Sequence, residues 1–104
     1  MSTYEAQCQA DARLAILAEL ARLPDATLNS RNLARMIDGI VPRRPSEWVE
    51  AQIAWLDSIG AVNSRRSDLP GVGPVVIATL TQSGRNHVER RVLTAELLVV
   101  PWLA

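Results

Sequence analysis

Six arginines carry the spacing most suggestive of chemistry. Arg31 and Arg35 stand one helical turn apart, while Arg43 and Arg44 are adjacent, as are Arg65 and Arg66. A guanidinium presents its N–H donors as a planar fork that matches phosphate or carboxylate oxygens in pairs. All eleven basic residues of the chain are arginine, balanced by eleven aspartates and glutamates. A GC-rich coding sequence would also produce an all-arginine set, so residue type alone decides nothing. With zero formal charge and a pI near 6.6, the whole molecule exerts little pull on a polyanion. Any such attraction must come from a local patch.

Other chemistry is thin. His87 is the single histidine and Cys8 the single cysteine, far apart in the chain. A metal site needs several such ligands, and a nucleophile needs an adjacent base. Cys8 reads as a small core residue and His87 as part of a solvated helix face. The segment DLPGVGP at 68–74 contains Gly-Val-Gly, but no helix follows with a third glycine, so a dinucleotide cradle is not expected. The expectations are therefore no enzyme, no cofactor and no metal.

The elements that must position the arginines follow from periodicity. Ser2-Thr3-Tyr4-Glu5 fits a capping box, and the Ala- and Leu-rich run after it makes an amphipathic helix that stops at Pro24. DATLN at 25–29 can add a minimal strand. Asn29 or Ser30 can cap a second helix, SRNLARMIDGI, with Leu33, Met36, Ile37 and Ile40 turned inward and Gly39 near its end. VPRRP is a rigid turn, and a third helix runs from about Ser46 to Ile59. On it, Val49, Ile53, Leu56, Ile59, Trp48 and Trp55 share an apolar arc, with Gln52 among them. After Gly60 come two strand-like runs, AVNSRRS and VVIATLT, joined by a tip rich in proline and glycine. Thr81 can cap a last helix, QSGRNHVERRVLTAELL, limited by Pro101.

This order predicts a mainly α fold with a small antiparallel β hairpin, the winged helix-turn-helix. The chain reads as a winged domain over residues 1–91 and an apolar extension of helix four over 92–104.

Three stretches, DARLAILAELARLP, AQIAWLDSIGAV and VVIATLTQSGRNHVER, resemble a family of small winged-helix proteins encoded by Mu-like transposable phages and prophages. The resemblance covers roughly residues 10–91. It implies the fold and a phage origin, and no catalytic residue comes with it.

In a DNA-bound winged helix, the outer face of helix three meets base edges and helix two crosses the backbone. Here that outer face carries Ser46, Glu47, Glu50 and Asp57, and three carboxylates repel phosphate. Glutamate can accept from cytosine N4, although Arg, Asn and Gln are the more usual readers. The surrounding arginines argue the other way. Arg31, Arg35, Arg43 and Arg44 could contact the backbone, with Arg65 or Arg66 on the wing side, since strand alternation lets only one of that pair face the helix. The competing reading pairs these arginines with nearby acids: Arg35 with Asp38, Arg43 or Arg44 with Glu47, and Arg66 with Asp68.

The tail, VLTAELLVVPWLA, is apolar enough to suggest an interface. Helix one, helix four and Leu93, Leu97, Leu98, Val100 and Trp102 are the expected homodimer contacts. The expectation is a cytoplasmic protein of a bacterial host that binds double-stranded DNA as a homodimer, with no membrane partner. The alternative is an interaction module whose acidic helix face or apolar tail docks a phage or host protein.

Overall fold

The computed structural model describes residues 3–90. Helix α1 (Thr3–Ala21) is followed by strand β1 (Thr27–Asn29), helices α2 (Ser30–Met36) and α3 (Ser46–Ser58), and strands β2 (Val62–Leu69) and β3 (Gly73–Leu80). Residues 82–90 form a helix, here α4. The extension 92–104 and its expected contacts Leu93, Leu97, Leu98, Val100 and Trp102 lie outside the described residues, as does Ser2 of the capping box.

The sheet is antiparallel with strand order β1-β3-β2. The β2–β3 hairpin pairs from Val62↔Leu80 to Leu69↔Gly73. Gly71 and Gly73 take φ of +76° and +98° at its tip, a region costly for any residue with a Cβ. The minimal strand β1 pairs Thr27 with Thr79 and Asn29 with Ile77, closing the hairpin's other edge. This is a winged helix: three helices packed against a small sheet whose long hairpin forms the wing.

The core lies where the amphipathic faces of the helices meet one side of the sheet. Ile16 and Leu20 of α1, Leu33 of α2, Val49, Ile53 and Leu56 of α3, and Val62, Val76 and Ala78 of the sheet are all buried in one cluster. Each large aliphatic side chain taken from water contributes about 1.5–3 kcal/mol. Buried Ser30 joins helix to sheet, its Oγ accepting from the Val76 N–H at 3.0 Å.

The helix caps follow the sequence closely. Asn29 Oδ1 accepts from the Asn32 N–H at 3.0 Å, and Thr81 Oγ1 accepts from the Gly84 N–H at 3.0 Å. Both satisfy donors that the first helical turn leaves unpaired.

Four inward assignments need correction. Helix α2 ends at Met36 rather than Ile40, because Ile37 caps it and Gly39 turns the chain at φ +95°. Met36 and Ile40 are consequently exposed, at 41% and 54%, and Val41 fills the core instead. Ile59 falls just beyond the last turn of α3 and is 56% exposed. Trp55 is 43% exposed, covered on one face by Arg13, whose guanidinium carbon sits 3.9 Å from a ring centroid.

Candidate functional site

The segment from α2 to α3 brings most of the predicted residues together. Arg31 and Arg35 project from the same face of α2, and the Ile37–Pro45 turn returns the chain alongside them. A cleft of about 340 Å³ results, lined by Arg31, Arg35, Arg43, Arg44, Asp38 and Ser46 among others. Pro45 occupies the N-cap of α3 and makes no side-chain cap hydrogen bond. Its carbonyl accepts from the N–H groups of Trp48 and Val49. The N–H groups of Ser46 and Glu47, first in the helix, have no acceptor among the described residues and sit at the positive end of the helix dipole.

The expected local ion pairs are absent among the described residues, and the partners found are different. Arg35 and Asp38 share the cleft without approaching to ion-pair distance. Arg44 pairs with Glu5 of α1 at 2.9 Å rather than with Glu47. The other Glu5 oxygen accepts from Trp48 Nε1 at 2.9 Å, and the Arg44 guanidinium lies over the Trp48 ring at 4.8 Å. The Trp48 hydrogen bond, helped by Arg44, holds the Glu5 carboxyl below its ordinary pKa. Arg44 is thus half occupied in bracing the turn against α1. Arg31, Arg35 and Arg43 have no ion-pair partner among the described residues.

The carboxylates on α3 also sort themselves. Asp57 accepts from both the backbone N–H and the hydroxyl of Ser64, at 2.8 and 2.6 Å. Those bonds, the hydroxyl's foremost, lower its pKa and tie the end of α3 to β2. Asp57 therefore does not belong with the outward-facing acids. Glu50 lies 3.8 Å from Arg66, which replaces the Asp68 pairing expected from sequence. Of the three carboxylates, only Glu47 is exposed and without an ion-pair partner among the described residues.

Strand register decides between the two wing arginines. Arg66 lies opposite Val76, a core residue, so it shares the side of the sheet that meets α3. Arg65 lies opposite Ile77 and lines a shallow depression with Asn63, Ile77 and Thr79 on the other side. The structure thus gathers Arg31, Arg35, Arg43, Arg44 and Ser46 in one cleft, continues along α3 with Glu47 and Glu50, and reaches Arg66 through Glu50. Arg65 is separate.

Sequence reasoning missed two braces that hold α3. Arg13 Nε donates to Gln52 Oε1 at 2.9 Å, and Gln52 Nε2 donates to the Trp48 carbonyl at 3.2 Å. Burial pushes the Arg13 pKa down. The one available signal was Gln52 itself, a polar side chain on the apolar arc that requires a partner. Nothing pointed to Arg13, or to Glu5 as the partner of Arg44. Beside the first brace, Leu14, Leu17, Trp55, Ile59, Ser83 and His87 help line an apolar groove of about 310 Å³.

No protein-family model matches the chain, and no curated protein matches it. Solved structures do. A MarR family transcriptional regulator from Streptomyces coelicolor, in complex with DNA, superposes with a TM-score of 0.56 at 24% identity over 93% of this chain. The protein ytfH from Salmonella typhimurium, described as a transcriptional regulator, gives 0.57 at 23% identity over 95% of this chain. This chain spans 59% of the length of the first and 84% of the second. At these identities the likeness establishes the winged helix fold and nothing finer.

Proposed function

We propose that this protein binds double-stranded DNA through α2, α3 and the wing, as a homodimer. The carrying observation is the convergence of Arg31, Arg35, Arg43 and Arg44 with the N-terminus of α3 on a single cleft. Guanidinium groups and helix N-termini are the usual holders of backbone phosphate. Arg31, Arg35 and Arg43 have no ion-pair partner among the described residues, and of the three α3 carboxylates Glu50 lies near Arg66 while Asp57 is held by Ser64 at the far end of the helix. The repulsion anticipated from the acidic face is therefore weakened at Glu50, by the arginine beside it, and fullest at Glu47. A structural neighbour solved on DNA supports the same use of the fold.

The phage reading rests on the sequence resemblance to winged-helix proteins of Mu-like phages and prophages. On that reading the protein regulates phage genes or handles phage DNA in the cytoplasm of a bacterial host. The dimer reading places α1, α4 and the apolar tail at the two-fold interface, which would present two α3 helices to successive half-sites.

A second reading, an interaction module for a phage or host protein, is favoured by the apolar groove around Trp55 and Ile59. Fluorescence anisotropy on a mixed-sequence duplex separates the two. Binding at low salt should weaken as salt rises, with a log–log slope near −0.9 per phosphate contact. Replacing Arg31, Arg35 and Arg43 together by alanine should flatten that slope by about 2–3 units. No binding at low ionic strength would favour the interaction module instead. A monomer by light scattering at high concentration would end the dimer proposal.

A further inference from the structure

We infer that Glu47 is a base-reading residue that selects a C·G pair, with cytosine on the strand nearer the first turn of α3. The inference deepens the DNA-binding reading and rests on it.

The exposed face of α3 consists of Glu47, Ala51, Ala54 and Ser58, following one another by four, three and four residues along one side of the helix. Every other long polar side chain on α3 is engaged. Gln52 is 3% exposed and bonded to Arg13 and Trp48, and Glu50 faces Arg66. Asp57 is held by Ser64. Glu47 alone is long, polar, outward and unpaired among the described residues, although an arginine-lined cleft opens one residue away at Ser46. A DNA backbone seated in that cleft places the first turn of α3 over the major groove.

The chemistry of an ionised carboxylate then limits what it can read. It only accepts hydrogen bonds. Guanine offers acceptors N7 and O6 in the major groove and thymine offers O4, so both repel it. Two donors remain, adenine N6 and cytosine N4. Adenine N6 lies between two acceptors, its own N7 and the O4 of the paired thymine. Cytosine N4 is flanked by an acceptor on one side only, with the C5 carbon on the other. Cytosine is therefore the base edge that costs the carboxylate least repulsion. Ala51 and Ala54 project no further than a methyl group, which allows the helix to approach closely enough for Glu47 to reach. The exposed face of α3 offers no Arg, Asn or Gln, the usual readers of guanine and adenine.

Selection of the full chain against a random duplex pool, followed by sequencing, tests this. The wild type should enrich a C·G pair at one position per bound α3, preferred by about tenfold over the other pairs. Glu47→Gln should shift that position alone toward A·T, because an amide can donate to adenine N7 while accepting from N6. Glu47→Ala should lose discrimination there and retain the salt dependence of binding. A glutamate that only complements the helix dipole would behave differently: its removal would lower Tm and leave the enriched base unchanged, overturning the inference. Salt-dependent binding without any preferred base would also overturn it while leaving the DNA-binding reading intact. Absence of binding would remove both.

Discussion

Arginines stand at both ends of α3, and they are used in opposite ways. Near its C-terminal half, Arg13 sits over the Trp55 ring and gives its Nε–H to buried Gln52. Near its N-terminal end, Arg31, Arg35 and Arg43 line an open cleft and hold no acid among the described residues. Arg44 stands between these cases, at the cleft but braced by Glu5 and Trp48. The same contrast runs through the backbone. Pro45 starts α3 without a side-chain cap, whereas the Gly60–Ala61 exit is locked, since the Ala61 N–H donates to the Leu56 carbonyl and the Thr81 N–H to the Ala61 carbonyl. One end of the helix is finished by its own chain, and the other has no side-chain cap among the described residues. On the DNA-binding proposal this asymmetry suits a reading helix, because binding groups are accurate only when their support is rigid.

The largest expected effect attacks the locked end. Gly84 of α4 packs directly on the Ala61 carbonyl, and a Cβ there would collide with that oxygen and press on Leu80 Cδ1 at 2.7 Å. Gly84→Ala should cost about 3 kcal/mol or more, lowering Tm by ~10–20 °C in calorimetry. A variant as stable as the wild type would mean that the exit of α3 is looser than this packing requires.

Next comes a double dissociation between the two arginine sets. Arg13→Ala strips Trp55 of its cover and leaves Gln52 Oε1 buried without a donor, a loss of about 1–3 kcal/mol. It should lower Tm and leave the salt slope of DNA binding unchanged. Replacing Arg31, Arg35 and Arg43 should do the reverse, because side chains without partners contribute little to stability. If both replacements changed both readouts alike, the two ends of α3 would not be functionally distinct.

What the sequence made legible and what it hid follow the same division. Order, caps and wing came from local signals: Asn29 and Thr81 before helical runs, Pro70 and Gly71 at a hairpin tip, β-branched residues in β3. The cleft was legible in part, because Arg31 and Arg35 at helical spacing and Arg43 and Arg44 in a short turn must lie near the start of α3. The ion pairs were not. Each was assigned to an acid a few residues away, yet Glu5 reaches Arg44 across 39 residues of chain and Glu50 reaches Arg66 from helix to strand. Asp57 looked outward on a helical wheel, but Ser64 across the Gly60 turn supplies two donors that draw it in. Met36, Ile40, Ile59 and Trp55 went wrong at or near helix ends, where a wheel continued past the last turn or ignored a side chain arriving from α1.

A smaller effect concerns acid. Glu5 and Asp57 both have pKa values lowered in the folded protein, by Trp48 and by Ser64 respectively. Their stabilisation is complete above the unfolded carboxylate range, about 4. It is lost as pH falls through the lower folded values. Tm should therefore fall between about pH 5 and pH 3, and fall less steeply in a Glu5→Gln/Asp57→Asn double variant. Parallel Tm–pH curves for the two proteins would show that these contacts do not favour the ionised forms.

The smallest expected effect lies at Glu50. Its carboxylate is 3.8 Å from the Arg66 guanidinium, long for a charge-assisted hydrogen bond, and the Arg66 side chain is 76% exposed. Such a pair is worth about 0–1 kcal/mol, so Glu50→Gln should leave Tm almost unaltered. For DNA the exchange removes a negative charge and frees Arg66 on the side of the sheet that meets α3. Affinity at low salt should rise about two- to threefold, less than 1 kcal/mol, and the gain should shrink as salt screens the added charge. Adding Arg66→Ala should cancel the part due to Arg66, whereas adding Arg65→Ala should not, because Arg65 lies across the sheet opposite Ile77. Equal losses from the two arginine replacements would show that the wing meets DNA with both faces, and that alternation along β2 does not sort its charges.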